Sequence, residues 1–119
     1  MAKIREVMKA DLFVVGPAAT VGEAVALMAR HRIGSALVMD GDRLVGIFTE
    51  RDTVRAISQT PDAPGQKISS WMTPHPETVD PDVDTRVALQ TMLSFGFRHL
   101  PVVENGKVVG MVSMRDLAD

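Results

Sequence analysis

The chain has 119 residues, 45% of them apolar and 24% charged, with a formal net charge of −2. That is the balance of a soluble globular protein, long enough for one domain or for two small units that share a core. The slightly acidic balance argues against a nucleic-acid footprint, and the lack of cysteine excludes a disulfide scaffold, a thiolate metal site and a cysteine nucleophile. No apolar run approaches the roughly 18 residues that span a bilayer. The start, Met1-Ala2-Lys3-Ile4-Arg5-Glu6, has no apolar core of a signal peptide, so a soluble cytoplasmic protein without membrane contact is expected.

In chain order, Ile4–Met8 reads as a short lead-in helical turn and Phe13–Val15 as a short strand closed by Pro17. Thr20 and Glu23 have capping-box spacing, and Val21, Ala24, Val25 and Met28 make one helical stripe. Gly34 stands past that helix as its expected C-cap. Ala36–Met39 and Arg43–Phe48 flank Asp40-Gly41, a strong hairpin signal, and a further helix starts at Thr49. The pattern then returns. Met72 follows Met8 by 64 residues, and at that fixed offset Ile4/Ile68, Val15/Val79, Pro17/Pro81, Val38/Val102 and Gly46/Gly110 are identical pairs. Arg51/Arg115 and Asp52/Asp116 extend the register to the end of the chain. The second copy therefore reads as a turn at Ile68–Met72, a strand at Thr78–Val79, and a helix capped by Asp84 and ended by Gly96. A hairpin through Asn105-Gly106 and a helix from Ser113 complete it. The organisation expected is residues 1–58 as repeat 1, 59–65 as linker and 66–119 as repeat 2. Each repeat is β-α-β-β-α, giving an α/β (α+β) fold. One such repeat of about 55 residues buries too little alone, so the two are expected to pack face to face with pseudo-two-fold symmetry. Pro101 cannot donate to a central ladder, so its strand is expected to be an edge there or to begin at the proline.

Several constellations fail. Asp80-Pro81-Asp82-Val83-Asp84 opens like a calcium loop, but Thr85 stands where glycine is needed and Thr91 where glutamate is needed. His31, His75 and His99 have no metal-ligand spacing; His31, between Arg30 and Arg32, reads as a favourable charge at a helix C-terminus. No nucleophile or acid–base pair stands out, so no enzyme is expected. Gly46 and Gly110, inside strands, imply a bulge or the close approach of a ligand or another backbone.

The halves together resemble a tandem CBS-domain pair, also called a Bateman module. Val7-Met8, Ile33-Gly34-Ser35-Ala36-Leu37-Val38 and Leu44-Val45-Gly46-Ile47-Phe48-Thr49-Glu50-Arg51-Asp52 carry the likeness in the first copy. Phe97-Arg98-His99-Leu100-Pro101-Val102-Val103 and Val108-Val109-Gly110-Met111-Val112-Ser113-Met114-Arg115-Asp116 carry it in the second. The resemblance implies adenosine-containing regulatory ligands (AMP, ADP, ATP or S-adenosylmethionine) in clefts between the repeats, no obligatory cofactor, a homodimer, and a separate effector protein. It implies that Asp52 and Asp116 hold ribose hydroxyls and that Thr49 and Ser113 contact sugar or phosphate. Arg51, Arg115, Arg98 and His99 become candidates for phosphate. Val14, Ile33 and Ile47, with Thr78, Phe97 and Met111, occupy the adenine-lining positions. Repeat 1 has Gly34 and Ser35 where repeat 2 has Arg98 and His99, so the two sites should be unequal. A plainer reading stands beside each role: Thr49-x-x-Asp52 and Ser113-x-x-Asp116 also have the spacing of capping boxes, and the apolar positions also suit a core. The rival functions are a ligand-free dimerisation or adaptor module and a nucleic-acid-binding adaptor, the second opposed by the acidic balance.

Overall fold

Turn chemistry and helix capping set the elements. The computed structural model describes residues 2–117, which form α1 (Ile4–Val7), β1 (Val14–Val15), α2 (Val21–His31), β2 (Ser35–Asp40), β3 (Arg43–Thr49) and α3 (Glu50–Gln59). Two 3-10 turns follow, Ala63–Gly65 and Ile68–Ser70, then β4 (Thr73–Pro74), α4 (Thr85–Phe95), β5 (His99–Glu104), β6 (Lys107–Ser113) and α5 (Met114–Leu117). Among the described residues no helix is long and apolar enough to cross a membrane.

The chain divides into two compact units. One is continuous, Phe13–Pro76; the other is split, the described parts of Met1–Leu12 and Glu77–Asp119. In the continuous unit a four-stranded sheet runs β1-β2-β3-β4, with β1 parallel to β2 and the other pairs antiparallel. Val21, Ala24 and Met28 of α2 bury against Ala36, Val38, Phe48 and Ile68. Gly22 lets the 3-10 turn lie against α2: a Cβ there would stand 3.0 Å from the Pro64 carbonyl oxygen. The split unit has the same plan around the β5–β6 hairpin, with Ile4, Ala88, Met92, Leu100, Val102 and Val112 in its core.

Local signals hold in detail. Thr20 and Glu23 form the capping box of α2, the Thr20 hydroxyl accepting from the Glu23 amide at 3.1 Å. Asp84 caps α4, accepting from the Arg86 amide at 2.8 Å. That hydrogen bond first, and the Arg86 side chain second, holds the Asp84 carboxyl below the usual carboxylate range. Its contribution to stability is therefore present at neutral pH and fades as the pH falls through that range. Asn105 (φ 53°) and Gly106 (φ 79°) make the two-residue turn of the second hairpin. The first hairpin turns at Gly41-Asp42, one residue beyond Asp40-Gly41, with Gly41 at φ 65°.

Two further expectations need correction. The left-handed C-cap of α2 is Arg32 (φ 55°), the residue that matches Gly96 (φ 75°), and not Gly34. His31 lies in the last turn of α2, as expected, and also rests against the Phe13 ring, centroids 4.4 Å apart. Thr78–Val79 is no strand; Val79 makes only an isolated parallel bridge to Val102. Pro101 explains this: it is the third residue of β5, whose one strand partner among the described residues is β6, so the proline stands at a strand edge as expected. The matching Leu37 donates its amide to the Phe13 carbonyl at 2.9 Å, and Pro101 has no N–H to repeat that bond.

Both glycine readings hold at once. Val38 pairs with Gly46 and Met39 with Leu44, leaving Val45 as a bulge; Val109 is its counterpart beside Gly110. Over each glycine lies a lead-in. Gly46 faces Met72 and Thr73, and Gly110 faces Met8 and Lys9. Each lead-in thus packs with the opposite copy of the repeat. Ile68 donates to the Ala19 carbonyl at 2.7 Å in the continuous unit, and Ile4 to the Val83 carbonyl at 3.0 Å in the split one.

Alanine at these glycines tests the contact. A Cβ on Gly110 would stand 2.8 Å from the Lys9 carbonyl oxygen, a backbone atom, whereas on Gly46 the nearest obstacle is the Met72 sulfur at 2.4 Å and the backbone oxygen lies at 3.1 Å. A thioether can swing aside and a paired backbone cannot. Gly110→Ala should therefore cost about 1–3 kcal/mol in denaturant unfolding, and Gly46→Ala less. Equal costs, or none, would contradict this contact.

Candidate functional site

Each conserved-offset Ser/Thr-x-x-Asp sits where a strand hands over to a helix. Thr49 ends β3 and caps α3; Ser113 ends β6, ahead of α5. The capping box is formed in both. Asp52 Oδ2 accepts from the Thr49 amide at 3.0 Å and lies 3.2 Å from its hydroxyl. Asp116 Oδ2 accepts from the Ser113 amide at 2.8 Å and from its hydroxyl at 3.0 Å. Capping therefore engages one carboxylate oxygen and leaves the other, Oδ1, facing away from the cap.

What meets Oδ1 differs between the units. At Asp52 it receives the Thr73 hydroxyl at 3.5 Å and the Arg55 guanidinium at 3.5 Å. Arg55 is itself pinned, donating to the Trp71 carbonyl at 2.6 Å with its guanidinium 5.2 Å from the indole centroid. The indole N–H is satisfied by Gln66 Oε1 at 2.7 Å. At Asp116 the neighbour is Lys9, its ammonium 3.9 Å away and its side chain 74% exposed. Both carboxylates are buried to a similar degree, at 8% and 11% side-chain exposure. The position matching Arg55 is Asp119, outside the described residues.

The other predicted residues fall into two sets, one per unit. Gly34 and Arg98 lie at the helix starts: the Glu50 amide donates to the Gly34 carbonyl at 3.1 Å, and the Met114 amide to the Arg98 carbonyl at 2.8 Å. Ser35 pairs in register with Thr49, and His99 with Ser113. Arg98, Arg51 and Arg115 are exposed, the last two on the first turns of α3 and α5. The apolar positions are mixed. Val14 is 44% exposed, Thr78 exposed, Met111 half-buried and Ile47 buried. Ile33 and Phe97 are half-buried against the two cores, Phe97 also stacking on Phe95 with centroids 5.7 Å apart. Sequence reasoning missed Thr73, Lys9 and Arg55. The signal for the first two was present, since both directly follow the paired methionines Met72 and Met8.

Residues 4–59 and 68–119 each match the CBS domain, so the chain belongs to the CBS-domain family. It is 43% identical over 119 residues to an uncharacterized 17.7 kDa protein of Acidianus ambivalens, covering 98% of this chain and 71% of that one. Among solved structures, a CBS-domain containing protein from Agrobacterium tumefaciens superposes with a TM-score of 0.92 at 31% identity, covering 98% of this chain and 97% of its own. A CBS domain protein from Pyrobaculum aerophilum complexed with AMP superposes with a TM-score of 0.89 at 29% identity, covering 97% and 89%.

Proposed function

We propose that the chain is a regulatory, non-catalytic module that binds an adenosine-containing ligand of the AMP, ADP or ATP class and modulates a separate partner protein. The observation that carries this reading is the divided carboxylate. Asp52 and Asp116 each cap with Oδ2 and keep Oδ1 for neighbours outside the cap. A carboxylate so placed accepts hydrogen bonds from the vicinal hydroxyls of a ribose. The helix start beside it, with Thr49 or Ser113, favours the phosphate end of the same ligand. Arg51 and Arg115 flank that end, and Arg98 with His99 add to it only in the split unit. Val14, Ile33, Ile47, Thr78, Phe97 and Met111 supply the apolar surroundings of the base. The AMP complex of the Pyrobaculum aerophilum protein supports the ligand class.

The split-unit site should hold phosphorylated ligands the better. Gly34 and Ser35 bring no charge to the continuous unit, and Ser35 is buried. Apolar side chains left exposed on α3 and α4 (Val54, Ile57, Val87, Leu93 and Phe95) support a homodimer built on helices. Light scattering at micromolar concentration should give twice the chain mass; a monomer contradicts the pairing.

The ligand-free adaptor is the second reading. It is favoured by the completeness of the caps, because among the described residues no buried side-chain nitrogen or oxygen lacks a hydrogen-bond partner. A thermal-shift screen with AMP, ADP, ATP, S-adenosylmethionine, NAD and GTP separates the two. A ligand at about 100 times its dissociation constant stabilises the folded chain by about 2.7 kcal/mol. The sensor reading predicts a rise with adenine ligands, reduced in Asp52→Ala or Asp116→Ala. It also predicts that Arg98→Ala weakens AMP binding about tenfold and lessens its salt dependence, as expected on losing one charge-assisted bond. No rise with any ligand, in protein freed of bound nucleotide, favours the adaptor.

A further inference from the structure

We propose that the residue after each lead-in methionine selects ligand by charge: Lys9 makes the split-unit site prefer a ligand bearing phosphate, and Thr73 makes the continuous-unit site accept an uncharged nucleoside. This rests on the adenosine-ligand reading and specifies what each site takes.

The two residues occupy one structural position. Lys9 exchanges both backbone hydrogen bonds with Met111, each at 2.9 Å, and Thr73 pairs in register with Ile47, the residue matching Met111. Both present their side chains to the Oδ1 oxygen that capping leaves over. Their chemistry is different. Thr73 offers a short neutral hydroxyl, and the charge of Asp52 is already answered by Arg55, which Trp71 holds in place. Lys9 offers a compact cation on a flexible four-carbon stem. Its backbone is fixed in the ladder while its ammonium, largely in water, stands 3.9 Å from Asp116. The ammonium end is in water and, at 3.9 Å, stands at the outer limit of an ion pair, so it leaves the carboxylate at little cost. A phosphate carries a greater charge than the carboxylate and accepts charge-assisted hydrogen bonds from the Lys9 ammonium. Arg98 is exposed, and its carbonyl accepts from the Met114 amide at the start of α5. A phosphorylated ligand thus meets Lys9 and Arg98 in one unit, and Thr73 and Gly34 in the other.

Calorimetric titration of the full chain with AMP and with adenosine tests this, one site at a time. Asp52→Ala isolates the split-unit site and Asp116→Ala the continuous one, with circular dichroism confirming that every variant folds. In the Asp52→Ala chain, adding Lys9→Thr should lower the AMP-to-adenosine affinity ratio about tenfold and flatten its salt dependence, while Lys9→Arg keeps the ratio high. In the Asp116→Ala chain, Thr73→Lys should raise the ratio by a similar factor. A merely structural Lys9 would shift both ligands together and leave the ratio alone; an unchanged ratio in Lys9→Thr, or in the shorter change Lys9→Gln, overturns the inference by itself. Failure of the otherwise unaltered chain to bind either ligand overturns the adenosine-ligand reading, and this inference with it.

Discussion

The close approach of a lead-in backbone to a strand glycine is the constraint on which the rest of each unit depends. A side chain at Gly46 or Gly110 would collide with the methionine and the carbonyl lying over it. Because both positions are glycine, β4 can pair with β3 across Gly46, and Lys9 can bridge to Met111 beside Gly110. That pairing sets the register of Thr73 and Lys9, and register decides which side chain meets the carboxylate. The bulges at Val45 and Val109 belong to the same device, since an extra residue re-aims the strand just where the lead-in crosses it.

On the proposed reading, the aspartates serve structure and ligand with different atoms. Oδ2 closes the cap and fixes the carboxylate's orientation, a local bond whose loss costs about 1 kcal/mol of helix stability. Oδ1 faces whatever the lead-in provides. Such a group is pre-organised, because its rotamer is held by the cap before any ligand arrives. The two caps are nearly identical while their neighbours contrast, Thr73 with Arg55 against Lys9; on the proposed reading, that contrast gives a duplicated unit two specificities. The shared offset keeps the framework, and the charged positions diverge.

Most of the framework was legible in the sequence because it is local. Capping boxes, the Asn105-Gly106 turn and the apolar stripe of α2 each depend on residues a few positions apart. The repeat at 64 residues made the second copy a check on the first. What the sequence hid was which copy each lead-in joins. An internal repeat presents the same docking surface twice, so its periodicity is blind to an exchange between copies. Only the glycines hinted that something must lie over β3 and β6. Thr73 and Lys9 were missed for that reason. The shortened pairing at Val79 was missed for another: the effect of Pro101 depends on which side of β5 its absent N–H faces, and that follows from register, not composition.

The measurement that most directly tests the account is an amide-resolved NMR titration of the isotopically labelled chain with AMP. The divided carboxylate predicts that the first amides to shift are those of Ser113, Asp116, Met111 and Lys9, followed at higher concentration by Thr49, Asp52, Ile47 and Thr73. Saturable shifts that leave both capping boxes untouched, or no shifts at any AMP concentration, would contradict it.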